Sequence, residues 1–285
     1  MEVKLRAGEP GDAEVCGRIC YDAFAAIAAA HGYPCDFPSV DVATGLVAAL
    51  LRKPGIFAVV AEAGGAVVGS NFLDERSAIA GVGPITVDPG VQNGAVGRKL
   101  MAAVMERAAE RGAAGVRLVQ TAYHTRSLAL YAKLGFEARE PLACLQGLPL
   151  SVRLEGRAVR PATDADAEAC NALCRAVHGH DRSPEVADAV TAGGALVVDH
   201  DGRITGYSTG LSFFAHSVGE TVEDVEALIG AAPGFGGSGI LVPIRDGRLF
   251  RFCLERGLRV VQLMTLMTTG LYNEPRGAYL PSIMY

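Results

Sequence analysis

The 285-residue chain lacks several signatures, and each absence removes a class of function. It has no basic surplus: 26 Lys and Arg stand against 31 Asp and Glu, a formal net charge of -5. A nucleic-acid binder ordinarily carries a positive footprint, so no nucleic-acid partner is expected. Seven cysteines is an odd number, and no two stand in a CxxC spacing. That argues against a disulfide framework and implies reduced thiols and a cytoplasmic location. Long apolar runs are missing too. The most membrane-like stretch, AFAAIAAA at 23–30, has eight residues, against the roughly 20 that span a bilayer. The opening MEVKLRAGEP has no apolar core of a secretion signal. No membrane association and no metal are expected. Neither a Walker phosphate loop nor a nucleophile elbow occurs.

What the chain does have is apolar bulk and a repeat. Half its residues are apolar, and at about 150 residues per domain its length predicts two domains. LRAGEPGDAEVCGRIC (5–20) echoes VRPATDADAEACNALC (159–174) at a constant offset of 154, pairing Arg6 with Arg160, Cys16 with Cys170 and Cys20 with Cys174. IFAVVAEAGGAVVGS (56–70) echoes GALVVDHDGRITGYS (194–208) at an offset of 137, with Gly69 opposite Gly206. A two-copy period this long means duplicated domains rather than a solenoid. The expected domains are 1–148 and 155–285, with a linker near QGLPLSVRLEG (146–156).

Hydrophobic period gives the elements of the first copy. Strands are predicted at 2–6, 56–62, 66–73, 78–87, 115–121 and 136–146. Helices are predicted at 11–30, 40–52, 95–111 and 125–134. Gly64-Gly65 marks a hairpin. Hairpins mixed with crossovers imply an α/β fold with a mixed sheet flanked by helices in each copy.

VDPGVQNGAVGRKLM (87–101) puts small residues where a helix begins. A helix N-terminus carries unpaired N–H groups and partial positive charge, and so attracts phosphate. Oxygens reach that backbone only if side chains are small. Gly94, Ala95 and Gly97 give that clearance; Val96 points to the core; Arg98 and Lys99 add positive charge. Close helix packing would explain the same small residues.

The context adds a resemblance. VDPGVQNGAVG resembles the acetyl-CoA pyrophosphate loop of the GNAT N-acetyltransferase superfamily, V-x-P-x-x-[Q/R]-x-x-G-x-[G/A]. Val87, Pro89, Gln92 and Gly97 match, and Ala95 stands where the family usually has Gly. HTRSLALYAKLGF (124–136) resembles the family segment N-x-x-A-x-x-L-Y-x-x-x-G-F. There Leu130, Tyr131, Gly135 and Phe136 match, while His124 replaces Asn and Ser127 replaces Ala. The resemblance covers about residues 1–146.

It implies an acetyltransferase in which a primary amine, expected to belong to a small molecule, attacks the thioester of acetyl-CoA directly. Backbone groups of Ile85, Thr86 and Val87 would pair with the pantetheine arm. The N–H groups around Gln92, Asn93, Gly94, Ala95, Val96, Gly97 and Arg98 would hold the pyrophosphate, with Lys99 and Ser127 also at the cofactor. A backbone N–H near Val87 would stabilise the oxyanion. Tyr131 would protonate the leaving thiolate, and His124 would bond the pantetheine or position a water, as the usual Asn does. Asp74, Glu75, Tyr21, Asp22 and His31 are candidates for the base, and the terminal carboxylate of Tyr285 is another. Alternatives are a protein amine as acceptor, a longer acyl group, or an acyl-CoA sensor without turnover.

The second copy keeps the apolar frame and loses these features. After a strand expected at about 208–218, the loop is replaced by Glu220, Glu223, Asp224 and Glu226, which satisfy a helix N-terminus themselves and repel a diphosphate. In FCLERGL (252–258), Cys253 replaces Tyr131. Residues 157–285 read as a degenerate copy that walls the acceptor pocket or mediates homodimerisation. GFGGSG (234–239) matches a dinucleotide fingerprint literally, but the required strand-then-helix context is reversed. HGHD (178–181) is expected to be a solvated loop.

Overall fold

A computed structural model describes residues 2–91 and 95–284. In chain order the first elements are β1 (Val3–Ala7), α1 (Ala13–His31), α2 (Val40–Arg52), β2 (Ile56–Ala63), β3 (Ala66–Asp74), β4 (Ile79–Val82), β5 (Thr86–Val87), α3 (Val96–Glu110), β6 (Gly115–Thr121) and α4 (Thr125–Lys133). The remainder are β7 (Glu137–Gln146), β8 (Ala158–Pro161), α5 (Ala167–His178), α6 (Ser183–Thr191), β9 (Leu196–His200), β10 (Arg203–Ser208), β11 (Ser217–Gly219), α7 (Val222–Ala231), β12 (Ile240–Pro243), α8 (Gly247–Glu255), β13 (Arg259–Gly270) and β14 (Ala278–Leu280).

The chain forms two compact units. One holds residues up to Leu118, Tyr123–Gly135 and Met284; the other holds Val119–Ala122 and Phe136–Ile283. The first unit carries the sheet order β1-β2-β3-β4-β6. Its first four strands pair antiparallel and β4 pairs β6 in parallel. The β2–β3 hairpin turns through Gly64 and Gly65, with φ of 59° and 83°. Both are left-handed, as the type I′ turn favoured by strand twist requires. Helices α1 and α2 bury Cys16, Cys20, Ala43, Val47 and Leu50 against Val60 and Phe72, with Met284 packed on the same cluster. The spacing of three and four puts each set on one helix face. Burying a side chain such as Val47 or Leu50 contributes on the order of 1.5–3 kcal/mol.

The strand expected at 78–87 is interrupted. Leu73 and Asp74 of β3 pair with β4, whereas Gly69 and Ser70 pair with β5. The Gly83 N–H still donates to the Phe72 carbonyl of β3 at 3.0 Å, and Ile85 stands outside both ladders. β5 pairs β3 alone among the described residues.

In the second unit, β14-β11-β10-β9-β8 form one antiparallel sheet. β7 lies antiparallel to both β13 and β12. The boundary of the units therefore differs from that of the repeat. Ala143 and Leu145 of β7 are fully buried in a cluster with Val225, Ile229, Ile240, Leu249 and Cys253. The last strand of the first copy completes the core of the second.

Two local expectations are corrected. The strand expected at 208–218 is two strands, β10 ending at Ser208 and β11 starting at Ser217. His178 and His180, expected in a solvated loop, are buried. Asn273 donates to the carbonyl of His178 at 3.1 Å, and the Tyr279 ring meets the His178 ring edge-on at 5.2 Å. Among the described residues no helix is long and apolar enough to cross a membrane, and no cluster of three or more His, Cys, Asp or Glu could hold a metal ion.

Candidate active site

The site of the first copy is built on the start of α3. Its N-cap position is Ala95, in the left-handed region at φ 61° and ψ 9°, which offers no side-chain cap. Val96, Gly97 and Arg98 are thus the first helical residues, the positions whose N–H groups have no acceptor within a helix of their own. Val96 is buried, as expected, and Arg98 is exposed. Lys99 differs from expectation: its ammonium donates to the carbonyl of Val3 at 3.0 Å. The positive side chain left for a ligand at this end is Arg98. Gln92, Asn93 and Gly94 lie outside the described residues.

Packing does not demand glycine at 97. A Cβ there would meet Leu130 at 3.7 Å and Val87 at 3.9 Å, ordinary van der Waals contact. Gly69 is different, because a Cβ would come within 2.6 Å of the Thr86 carbonyl oxygen. Gly69 belongs to the sheet. Gly97 keeps a surface open that the fold does not itself fill.

Thr86 and Val87 form β5, with Ser70 Oγ 3.4 Å from Thr86 Oγ1. Tyr131 sits on α4 and is buried; burial pushes its phenol above the usual range, so it is held as a proton donor. Seven residues earlier, His124 occupies the N-cap position of α4 and makes no side-chain capping bond. Its backbone there is not helical, at φ -83° and ψ 71°. Desolvation first, then Arg126 and His31, lowers the imidazole pKa to about 4, and it is neutral at physiological pH. Its Nε2 is buried with no hydrogen-bond partner. Ser127 spends its hydroxyl proton on the His124 carbonyl at 2.8 Å.

Two candidates for the base are already engaged. Asp74 accepts from Arg76 at 2.5 and 2.9 Å. Glu75 is gripped by Arg107 at 2.7 and 2.8 Å, which lowers its pKa further. Tyr21 packs against the α1–α2 cluster. Asp22 is exposed, and Tyr285 lies outside the described residues. His31 donates from Nδ1 to the Ile27 carbonyl at 3.0 Å, and its ring lies 5.2 Å from Tyr123. Tyr123 in turn stacks on Tyr33 at 4.3 Å and 14°. Sequence reading did not find this ring group, whose members are scattered over the α1–α2 and β6–α4 loops.

In the second copy the corresponding helix start carries its own carboxylate cap. Asp224 accepts from the Thr221 N–H at 2.9 Å and its hydroxyl at 2.8 Å, capping α7 from within. Its other oxygen takes Thr205 and Arg157. Glu220 pairs with Arg203, and Glu223 and Glu226 both pair with Arg248. Cys253, in the place of Tyr131, is buried and its thiol is pushed up to about 12.

Residues 24–136 match the profile of the acetyltransferase (GNAT) family. Solved structures extend the likeness to the whole chain. A protein assigned as an acetyltransferase from Pyrococcus horikoshii superposes with a TM-score of 0.72 at 17% identity, covering 97% of this chain and 94% of that one. A GCN5-related N-acetyltransferase from Sphaerobacter thermophilus gives 0.62 at 17%, covering 95% and 96%. A tandem GNAT protein from the clavulanic acid biosynthesis pathway gives 0.57 at 16%, covering 94% and 98%. No curated protein sequence matches. Residues 24–136 thus resemble the GNAT acetyltransferase family, and the chain shares its fold with these proteins, a tandem GNAT protein among them.

Proposed function

We propose that the first copy transfers an acetyl group from acetyl-CoA to the primary amine of a small molecule, in the cytoplasm. The N–H groups that open α3, with Arg98 beside them, hold the pyrophosphate. The backbone at Ile85, Thr86 and Val87, in β5 and just before it, takes the pantetheine arm. The amine attacks the thioester carbonyl, a backbone N–H near Val87 stabilises the oxyanion, and Tyr131 protonates the departing thiolate. The degenerate copy binds no acetyl-CoA and serves as support or as a homodimer surface.

The observation that carries this reading is Gly97. Packing among the described residues leaves room for a side chain there, yet the chain has none, and it lies in the first turn of a helix whose N-cap residue, Ala95, offers no side-chain cap. A ligand anion explains both.

The test is calorimetric titration with acetyl-CoA, followed by thiol release with primary amines. One site per chain is expected, with release abolished by Tyr131→Phe while acetyl-CoA affinity is kept. Two sites would restore the second copy to function. No binding at millimolar acetyl-CoA would sink the reading, and binding without release would favour an acyl-CoA sensor.

A further inference from the structure

We propose that the acceptor is an arylalkylamine, a flat aromatic ring with a primary amine on a short alkyl arm, and that Tyr33 and Tyr123 select it by packing against that ring. The proposal rests on the acetyltransferase reading above and names the substrate class of the same site.

The Tyr33 and Tyr123 rings stack at 4.3 Å and 14°, and the His31 ring lies 5.2 Å from Tyr123. Both tyrosines are only half-buried, so the stack keeps ring surface open. The backbone fixes one of them in place. Gly32, left-handed at φ 71°, closes α1, and the Tyr33 N–H donates back to the Ala28 carbonyl at 2.9 Å. A glycine-closed helix end of this kind sets the next residue against the helix whatever its side chain. The stack is therefore a prepared surface.

The ladders give its height. Gly81 of β4 faces Arg117 of β6 on one side and Asp74 of β3 on the other. Val87 faces Gly69 of β3, five ladder steps beyond Asp74. The same five steps along the parallel β6 lead from Arg117 to Ala122, and Tyr123 follows. Val87 and Tyr123 thus come level where β5 and β6 part, since β5 pairs β3 alone among the described residues. The rings also have a face of the sheet to themselves. Phe72 of β3 packs into the α1–α2 cluster, whereas its neighbour Asn71 donates to the Leu100 carbonyl of α3 at 3.4 Å. Successive strand residues point to opposite faces, so α1 with its rings lies on one face and α3, whose start is assigned the pyrophosphate, on the other. A ring laid on the stack leaves its amine at the height of Val87 without meeting the cofactor phosphates.

Charge narrows the class. Arg126 and His31 bear on the adjoining His124 ring, and no carboxylate does. That disfavours a second ammonium beside the stack and favours a neutral aryl group, which gains from offset or edge contact with tyrosine rings. The amine reacts as its free base, its ammonium proton left to solvent. Nitrogen forms the C–N bond as the C–S bond breaks, the thiolate takes the Tyr131 proton, and the proton lost from nitrogen restores Tyr131.

The experiment measures kcat/KM for thiol release from acetyl-CoA with phenethylamine, butylamine and putrescine, alongside acetyl-CoA affinity by calorimetry. The wild type should prefer phenethylamine to either other amine by about tenfold or more. Tyr33→Ala should cut that preference to about threefold or less, chiefly through KM, at unchanged acetyl-CoA affinity. Tyr33→Phe keeps the ring and should keep the preference. The readout is a ratio between amines, which a loss of stability alone does not move. If Tyr33→Ala fails to fold, the wild-type ratio and that of Tyr123→Leu decide. No preference for phenethylamine in the wild type overturns the proposal. So does an unchanged ratio in Tyr33→Ala, which would leave the stack a structural contact only. Acetyl-CoA binding with no release from any of these amines overturns the substrate class and leaves the cofactor site standing; no acetyl-CoA binding overturns both.

Discussion

Arg6 holds both carboxylate oxygens of Asp12 at 2.7 Å, and the same grip recurs 154 residues later, where Arg160 holds Asp166 at 2.8 Å. In each copy the aspartate also accepts a backbone N–H three residues back, from Glu9 and Thr163. The pair ties the first strand to the start of the first helix. Arginine lowers the pKa of both aspartates. Asp12→Asn and Asp166→Asn each remove a bidentate, charge-assisted contact and weaken a cap, so each should cost about 1–2 kcal/mol. Urea midpoints of the two variants check this, and the larger loss is expected at Asp166, which also accepts from the Thr163 hydroxyl at 2.9 Å.

That pair also shows what was legible in the sequence. The residues of the repeat predicted equivalent structure, and the equivalence extends to atoms. Elements with clean period and firm punctuation were legible to the residue: α2 runs over the expected 40–52 and β6 over the expected 115–121. The break between β4 and β5 was not, because Val82 and Thr86 both read as strand and local pattern carries no information on which residues of β3 they meet. The burial of His178 was hidden for a related reason, since its cover, Tyr279 and Asn273, is about 100 residues away in sequence. At the candidate site, the motifs located Gly97 in the first turn of α3 and Tyr131 on α4. The pairing of Asp74 with Arg76 and of Glu75 with Arg107 was not legible, because residue type carries no information on which arginine a carboxylate meets.

Ala95 makes a prediction of its own. Its φ of 61° is a conformation in which glycine carries no steric penalty and alanine does. Ala95→Gly should therefore stabilise the first copy by roughly 0.5–1 kcal/mol, read as a higher urea midpoint, and should preserve acetyl-CoA affinity, since the N–H is unchanged.

Acid should weaken the second unit through His216. That ring is buried, with Tyr207 Oη 2.9 Å from Nε2 and Glu185 at 3.3 Å from Nδ1, and Arg182 grips the same glutamate. Desolvation first, then Arg182, lowers its pKa from 6.5 to about 4, against the opposing pull of Glu185. The unfolded chain thus binds a proton below pH 6.5 that the folded chain refuses until about pH 4. This stability is intact above pH 6.5 and is lost as pH falls toward 4, at up to about 1.4 kcal/mol per pH unit. His216→Gln should flatten the change in urea midpoint between pH 7 and pH 5, whatever its effect at pH 7.

Gly97 separates stability from binding in a single substitution. Inside α3, glycine is less favourable than alanine by about 0.8–1 kcal/mol, and a Cβ at this position finds only ordinary contacts with Leu130 and Val87. Gly97→Ala should therefore leave thermal stability equal to the wild type or raise it by a few degrees. The same methyl stands in the first turn, where the pyrophosphate must approach the backbone. Acetyl-CoA affinity should fall about tenfold or more, and a glutamate at this place should abolish it by adding like charge. If Gly97→Ala is both stabilised and fully competent for acetyl-CoA, the ligand does not lie on the first turn of α3, and the small residues there serve no clearance. If the variant is destabilised, the room over Gly97 is not real and packing accounts for the glycine. Only the combination of kept stability and lost affinity assigns the open surface to a ligand.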